Sequence, residues 1–398
     1  RLPRKEDALM AATKTSLHGT RCERSQHLCV APTFVKEGRA LWSIVDLTDL
    51  TLVGVRWTNV GESAPVTERS LEDEKIAIEF CEKDSALEQG DWKMQYHLTS
   101  SDGLEIFDVQ FRGVPVLKSA KLVDWHVSYS KTEQFGYSDA IGCPIFSQAA
   151  VIARAAPKVT PLYNTSGTKV GFSLIQEYFN QDWPSPCNYN YRQEYEFYTD
   201  GRFRVKGASV GRGCGNDGVY RPVFRLALPD AVTVSEWKDS KWQEVENEQW
   251  RHLNETTVLF ENRFQYRLNN SPHQSYLVEP STGQFSDGGR GDSPYTYITK
   301  YKSEEGEANL ITLGSCCNTD YQQGPEVFMT PEAEPLKGSP LVLWYVGELQ
   351  NDEREGKKYC WAETYIENGI KRVRTFPCFA GPMFVPEAPP IGSLPGER

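Results

Sequence analysis

The sequence predicts a mainly β protein, with one large antiparallel β-sandwich and few short helices. Asp-Gly and Asn-Gly dipeptides separate runs of alternating apolar residues, and such dipeptides supply the positive φ angles of two-residue hairpin turns. Segments with helical periodicity are scarce. Hydrophobic residues make up 39% of the 398 residues, which is enough for a large core. No strong linker divides residues 20–385, so a single sandwich fits better than two domains.

Three hairpin or strand signals follow one another along the chain. Asp102-Gly103 precedes a strand in which Phe107, Val109 and Phe111 alternate. Asp200-Gly201 separates two further strands, and Asn368-Gly369 separates a third pair. These signals place antiparallel pairs along most of the chain.

Helices are expected only locally. The segment 147–156 (SQAAVIARAA) is the best short helix candidate, and 71–87 is ambiguous. Two strands are predicted within 40–47 and 52–57. We divide the chain into an N-terminal extension (1–90) that adds strands to the sandwich, a sandwich domain (91–385) and a flexible Pro-rich tail (386–398).

Cysteines and glycosylation motifs favour a secreted glycoprotein with disulfide bonds. The ten cysteines include no CxxC…CxxC zinc pattern. Asn-x-Ser/Thr acceptors occur at Asn164, Asn254 and Asn269. An even number of cysteines together with these acceptors is typical of an oxidising compartment. The chain starts at Arg1, which we interpret as the result of signal-peptide removal. Ten reduced thiols in a cytosolic protein are the alternative.

Composition and motifs exclude several classes of function. A net charge of −11 argues against nucleic-acid binding, which needs a basic surface. No run of 18 apolar residues is present, so we expect no membrane span. No GxGxxG, Walker, HExxH or GxSxG motif occurs. Arg290-Gly-Asp292 spells an adhesion tripeptide in a Gly-rich stretch expected to be exposed, and a polar turn is the alternative reading.

The most informative segment is Asn188-Tyr189-Asn190-Tyr191. It resembles the Asn-Tyr-(Asp/Glu)-Tyr motif of copper amine oxidases, in which the first Tyr becomes the topaquinone cofactor. Asn190 replaces the acidic residue. Flanking segments also resemble that family: 92–129 its run-in to the catalytic domain, 195–207 the strands after the quinone, 341–345 the strand before its last copper ligand, and 376–384 its C-terminal element. The resemblance covers about residues 90–385 and implies the amine-oxidase-type supersandwich.

The copper ligands of that family have no histidine equivalents here. The family places a His-x-His after the quinone hairpin and a third His after the Trp strand. Tyr220, Pro222 and Gln350 stand nearest to those positions, and no His-x-His occurs in the sequence. Copper(II) prefers imidazole, and the proline side chain offers no ligand. We interpret His126, His252 and His273 as isolated surface or packed histidines. We therefore expect neither copper nor topaquinone, and no other cofactor.

The same resemblance implies a base and a pocket. Asp139 lies where the family has its general base, and burial beside Tyr189 would raise its pKa; an Asp that orders a turn is the alternative. Asp139 and Tyr189 are thus candidate catalytic residues. Candidate pocket residues are Asn188, Tyr191, Tyr220 and Gln350. Candidate disulfides are Cys143–Cys187, Cys360–Cys378 and Cys22–Cys29, although connectivity cannot be read from sequence.

Three functions compete. The leading one is a copper-free pseudoenzyme that uses the old cleft to bind a small molecule or serves a structural role. A cofactor-independent isomerase, cyclase or lyase using Asp139 and Tyr189 is the second. A true amine oxidase with replaced ligands is the third. The resemblance also implies a homodimer, but the segments 211–218 and 322–337, where dimer arms would lie, are short. The oligomeric state therefore stays open.

Overall fold

The computed structural model describes residues 8–10, 29–59, 67–129, 136–145, 147, 149–211, 213–254, 256–281, 291–303, 324–329 and 332–387. Within these ranges, antiparallel strands dominate and there is one α-helix, so the predicted mainly β sandwich is confirmed. None of the described helices is long and apolar enough to cross a membrane. The predicted tail, 386–398, lies outside the described residues from 388 onward.

The strands follow one another along the chain. The first ten are β1 (Ala8–Met10), β2 (Cys29–Val30), β3 (Pro32–Lys36), β4 (Arg39–Asp46), β5 (Thr51–Asn59), β6 (Ser85–Gln89), β7 (Trp92–Leu98), β8 (Leu104–Phe111), β9 (Val114–Ser128) and β10 (Gly136–Asp139). The next ten are β11 (Ile141–Gly142), β12 (Val151–Ile152), β13 (Lys158–Tyr163), β14 (Lys169–Phe179), β15 (Asn190–Tyr198), β16 (Phe203–Ser209), β17 (Val219–Ala227), β18 (Thr233–Lys238), β19 (Lys241–Glu244) and β20 (Gln249–His252). The last nine are β21 (Tyr266–Asn269), β22 (Tyr276–Glu279), β23 (Tyr295–Lys300), β24 (Leu341–Val346), β25 (Leu349–Gln350), β26 (Trp361–Glu367), β27 (Ile370–Phe376), β28 (Cys378–Ala380) and β29 (Met383–Pro386). The helix α1 spans Glu68–Glu79, and a 3-10 helix spans Pro325–Met329.

Two ten-stranded sheets form the sandwich. Sheet I has the order β20-β23-β24-β17-β9-β8-β7-β6, with β10 added beside β9 and β25 beside β17. Sheet II has the order β13-β14-β15-β16-β29-β22-β21-β18-β19, with β28 added beside β16. The main core contains side chains from both sheets, among them Leu122 and Trp125 of sheet I and Tyr191 and Tyr195 of sheet II. The sheets therefore face each other across one hydrophobic layer.

Polar contacts also join the two sheets. The hydroxyl of Tyr195 in β15 donates to the backbone carbonyls of Leu104 and Ala120, which belong to sheet I, at 2.7 and 2.8 Å. Gly207 of β16 lies so close to sheet I that an added Cβ would stand 3.1 Å from Leu122 and Phe224 side-chain atoms. A side chain there would push the sheets apart, so glycine permits their close approach.

The predicted hairpins are present. β15 pairs with β16 across the turn at Asp200-Gly201, and β26 pairs with β27 across Asn368-Gly369. Asn368 and Gly369 have φ angles of 52° and 77°, as the two-residue hairpin turn requires. The strand predicted after Gly103 is β8.

The N-terminal region contributes to two sheets. The two strands predicted there are β4 and β5, and with β1, β2 and β3 they form a separate five-stranded sheet. β6, which also lies within residues 1–90, instead pairs with β7 in sheet I.

The predicted helix at 147–156 is wrong. Its centre forms β12, which pairs in parallel with β11, and Ala153 forms an isolated bridge with Tyr178. Val151 and Ala153 are buried while Ile152 and Arg154 are only half-buried, which is the alternation of a strand. Among the described residues the α-helix is α1, which overlaps the first half of the ambiguous segment 71–87, whose end instead enters β6. It begins after Thr67, whose side chain accepts the Ser70 N–H while its own N–H donates to Ser70 Oγ.

Candidate functional site

Tyr189 lies at the end of a turn that leads into β15. We call residues 180–189 the tyrosine turn. Its two ends are held together by Asn180, whose side-chain oxygen accepts the Tyr189 N–H at 2.7 Å. The Asn180 N–H also donates to the Tyr189 carbonyl at 3.0 Å. These bonds fix the backbone of Tyr189, and its side chain is 7% exposed.

An aromatic stack connects Tyr189 to the opposite sheet. The Tyr189 ring stacks on Tyr191 with centroids 5.5 Å apart, and Tyr191 stacks on Trp125 of β9 at 4.4 Å. The rings of the second pair are nearly parallel, with an interplanar angle of 7°. Stacked rings in the core limit the movement of each phenol. The stack therefore fixes the position of the Tyr189 hydroxyl.

The Tyr189 hydroxyl contacts the hydroxyl of Tyr129, which follows β9. The two phenol oxygens are 2.5 Å apart, and the Tyr129 oxygen also accepts the N–H of Cys214 at 2.9 Å. Burial, then the neighbouring Tyr129 and the charge of Asp139, raise the pKa of Tyr189 well above its usual range. Burial also raises the pKa of Tyr129. Both phenols therefore keep their protons at neutral pH, and in the bond between them one hydroxyl donates and the other accepts.

Asp139 brings a carboxylate to the same region. It ends β10, is 8% exposed, and accepts the Tyr191 hydroxyl at 2.9 Å. Because Tyr191 stacks on Tyr189, one hydrogen bond and one ring contact link the carboxylate to the phenol.

An open cavity of about 270 Å³ joins these groups. We call it the Tyr189 pocket. The side chains of Asp139, Asn180 and Tyr189 line it, together with Ala150, Val151 and the disulfide Cys187–Cys214. The structure therefore brings together the two candidate catalytic residues predicted from the sequence. Among these lining residues Asp139 is the charged one, so the pocket offers a negative charge beside a hydrogen-bonding phenol.

The predicted pocket residues occupy other places. Asn188 donates to the carbonyls of Ser185 and Pro186 at 3.2 Å and so orders the tyrosine turn. Gln350 is exposed and pairs with Val219 at the edge of sheet I. Neither lines the Tyr189 pocket. Tyr191 lies behind it and positions Asp139, and Tyr220 is fully buried.

The structure places the three residues nearest to the family's copper-ligand positions in different surroundings. Tyr220 lies against Gly213, Pro222 pairs with Trp125 of β9, and Gln350 faces outward. A buried protonated phenol, a proline and an exposed amide are a poor donor set for copper(II). Among the described residues there is also no group of three His, Cys, Asp or Glu that could hold a metal.

The three histidines that the sequence analysis interpreted as isolated lie apart from one another. His126 is fully buried with its ring 3.7 Å from Asp124, whereas His252 stacks on Tyr295 with ring centroids 4.0 Å apart. His273 is exposed.

Three disulfides join described cysteines. They are Cys81–Cys143, Cys187–Cys214 and Cys360–Cys378. The last is the pairing suggested by the sequence. The suggested Cys143–Cys187 pair is wrong, because each sulfur has another partner. Cys29 is disulfide-bonded, and its suggested partner Cys22 lies outside the described residues.

Sequence reasoning did not single out Tyr129, Asn180 or Cys214. Tyr129 had a signal, because Trp125, Val127 and Tyr129 alternate at the end of a strand and all three face the core. Asn180 and Cys214 had none, since each acts through a contact that depends on how two loops meet.

The aspartate side chain of the Arg-Gly-Asp tripeptide is not exposed. Asp292 is 0% exposed and accepts hydrogen bonds from the Tyr345 hydroxyl and the Gly381 N–H. Arg290 lies outside the described residues. The expected exposure is therefore wrong for Asp292, which is a structural residue.

Comparisons with known proteins found no matching family model and no matching curated protein. Several solved structures are similar to the chain. A copper-containing benzylamine oxidase from Hansenula polymorpha is 12% identical, with 90% of this chain and 75% of that chain covered and a TM-score of 0.45. A lysyl oxidase from Pichia pastoris is 13% identical, covering 96% and 70%, at 0.43. An amine oxidase from Aspergillus nidulans is 12% identical, covering 94% and 67%, at 0.44.

Proposed function

We propose that this chain is a secreted, copper-free protein that binds a small molecule in the Tyr189 pocket. One observation carries the proposal: an open cavity whose wall presents the Asp139 carboxylate beside the Tyr189 phenol. Binding sites are commonly concave and combine apolar walls with a few placed polar groups. Backbone and side chains of Ala150 and Val151 supply the apolar part.

The size of the cavity limits the ligand. At about 270 Å³, the Tyr189 pocket is slightly smaller than the usual range of ligand sites, which is roughly 300–1,000 Å³. A small molecule, or one end of a larger one, fits this volume. A group that donates to Asp139 and accepts from Tyr189 would satisfy both side chains.

The absence of copper and topaquinone is part of the proposal. It is supported by the donor set at Tyr220, Pro222 and Gln350, which is poor for copper(II). Metal analysis and a quinone redox-cycling assay on purified protein should both be blank. A stoichiometric copper signal, or added oxygen mass on the Tyr189 peptide, would instead establish the amine-oxidase alternative.

A second candidate function is acid–base catalysis without a cofactor. The observation in its favour is that the Asp139 carboxyl and the Tyr189 phenol line one pocket, so Asp139 can accept a proton from a substrate while the Tyr189 hydroxyl stabilises the developing negative charge with a hydrogen bond. An isomerase or lyase reaction needs such a pair on either side of its substrate. The ligands found by binding experiments are the compounds to test for turnover.

Binding is tested by a thermal-shift screen of a small-molecule library, followed by calorimetry. Hits should bind the wild type and lose at least tenfold in affinity in Tyr189→Phe and Asp139→Asn. Two matched controls, Tyr163→Phe and Asp230→Asn, change exposed residues and should bind as the wild type does. Hits that bind all four variants equally would place the ligand elsewhere and refute the proposal.

A further inference from the structure

The disulfide Cys187–Cys214 is the most exposed of the three described disulfides. Cys187 is exposed and Cys214 is half-buried, and both line the open Tyr189 pocket. In Cys81–Cys143, Cys81 is half-buried and Cys143 is 2% exposed, and Cys360 and Cys378 are fully buried. Thiol–disulfide exchange requires an attacking thiolate to reach a sulfur atom. A reductant in solution therefore meets Cys187–Cys214 first.

This disulfide holds a loop over the tyrosine hydroxyls. We call residues 211 and 213–218 the glycine loop, because four of them are glycines. Its Cys214 N–H donates to the Tyr129 hydroxyl at 2.9 Å. Its Gly213 lies so close that an added Cβ would overlap the hydroxyls of Tyr129 and Tyr220. The glycine loop thus closes the inner side of the Tyr189 pocket.

Few other contacts fasten the glycine loop to the tyrosine turn. Within the described residues, Cys187 N–H donates to the Gly213 carbonyl at the long distance of 3.4 Å, and the Trp183 indole donates to the Gly211 carbonyl. Cys187 also has a φ of 62°, a conformation that non-glycine residues rarely adopt. Loss of the disulfide removes the covalent constraint from both the loop and this backbone.

We propose that Cys187–Cys214 is a redox latch on the Tyr189 pocket, opened by a dithiol reductant. One thiolate of the reductant attacks a sulfur of the disulfide and forms a mixed disulfide, and its second thiol then displaces the protein sulfur. Two electrons and two protons pass to the protein, which ends with two thiols, while the reductant ends as a disulfide. The glycine loop then leaves Tyr129, and the pocket extends to the Tyr129 and Tyr220 hydroxyls. As regulation of ligand binding, the latch rests on the proposed function.

The first test maps reduction and loop motion together. Under limiting dithiothreitol, alkylation and peptide mapping should label Cys187 and Cys214 before the other four cysteines of the described disulfides. Hydrogen–deuterium exchange should then rise at least tenfold in the glycine loop and the tyrosine turn only. Unchanged exchange, exchange that rises over the whole protein, or earlier labelling of Cys81–Cys143 or Cys360–Cys378 would overturn the latch.

The second test uses N-acetylimidazole, which acetylates accessible tyrosine hydroxyls. Tyr129 should react only after reduction, whereas exposed Tyr163 should react in both states. The double variant Cys187→Ser, Cys214→Ser should react without dithiothreitol and show no further change with it. If it does not fold, wild-type protein before and after reduction supplies the same comparison. Equal acetylation of Tyr129 in both states overturns the latch.

The two proposals fail in different ways. If reduction opens the pocket but no library compound binds in either state, the latch stands and the proposed function fails. If compounds bind equally before and after reduction, the binding function stands and the latch does not regulate it.

Discussion

The three glycosylation acceptors differ in their exposure and in the hydrogen bonds of their side-chain amides. Asn164 and Asn254 are exposed and lie in turns. The amide nitrogen of Asn269 in β21 instead donates to Ser235 Oγ at 3.0 Å and approaches Thr233. The glycan would be attached to that same nitrogen, so it competes with the hydrogen bonds of a strand residue.

We therefore expect glycans at Asn164 and Asn254 and little or none at Asn269 when the protein is made in a eukaryotic secretory pathway. Exposed turn acceptors are accessible to the transferase, whereas a strand residue in a paired sheet is not. Glycopeptide mass spectrometry with enzymatic deglycosylation measures the occupancy of each site. Full occupancy at Asn269 would contradict the hydrogen bonds seen here.

His97 illustrates how two carboxylates act on one ring. Its Nδ1 lies 2.8 Å from Asp84 and its Nε2 lies 3.5 Å from Glu105. Burial lowers the pKa of His97, but the hydrogen bonds and charges of Glu105 and Asp84 outweigh burial, so its pKa is raised above the ordinary value. Because the folded pKa is the higher one, this stabilisation is complete below the unfolded pKa of about 6.5 and is lost as pH rises through the folded value.

The expected result is an NMR titration of His97 with a midpoint above about 6.5. Glu105→Gln removes one carboxylate and should lower that midpoint. An unchanged His97 midpoint would show that Glu105 does not act on the ring.

At the scale of elements, the Asp-Gly and Asn-Gly turn signals proved reliable. Predictions for segments whose structure depends on partners elsewhere in the chain did not. Asn368-Gly369 specifies its own turn, so the β26–β27 hairpin could be predicted. The strand in the 147–156 segment depends instead on partners outside the segment, since β12 pairs with β11 and Ala153 meets Tyr178. The partner of Cys143 is equally non-local, because Cys81 lies 62 residues away. Sequence spacing carries no information on such contacts.

The glycine loop permits a test of close packing. Gly213→Ala places a Cβ against the hydroxyls of Tyr129 and Tyr220, so we expect a loss of about 1–3 kcal/mol in the free energy of unfolding. Gly54→Ala is the matched control, because nothing lies within 4 Å of a Cβ added there, and it should change stability by less than about 0.5 kcal/mol. Denaturant unfolding measures both. Equal stability of the two variants would mean that the glycine loop does not rest on the tyrosines.

At the scale of the whole molecule, the site depends on the register of two sheets. Tyr129 and Asp139 come from sheet I and its added strand, and Tyr189 comes from the turn before β15 of sheet II. The sequence resemblance could place Tyr189 and Asp139 near each other. It could not place Asn188 or Gln350, because one side chain bonds within its turn and the other faces outward at a sheet edge.

A second connection between the sheets is the buried carboxyl of Asp292. One of its oxygens accepts the Tyr345 hydroxyl of β24 in sheet I at 2.7 Å and the Gly381 N–H, between β28 and β29 of sheet II, at 2.9 Å. Its other oxygen has no hydrogen-bond partner among the residues that the structure describes. Burial raises the pKa of Asp292 to about 6, although the bonds from Gly381 and Tyr345 oppose this shift.

Because the folded pKa exceeds the unfolded one, the native state holds a proton that the unfolded chain has released between about pH 4 and pH 6. The contribution of Asp292 to stability should therefore fall as pH rises through that window, by roughly 3 kcal/mol at most. Asp292→Asn keeps an oxygen for Tyr345 and Gly381 and removes the charge, so this part of the slope should disappear. Asp230→Asn, at an exposed site, should leave it unchanged. Denaturant unfolding of the three proteins from pH 4 to 7 gives the slopes. If Asp292→Asn retains the wild-type slope, the carboxyl is ionised throughout, and the sheets are joined by a charge rather than by a neutral acid.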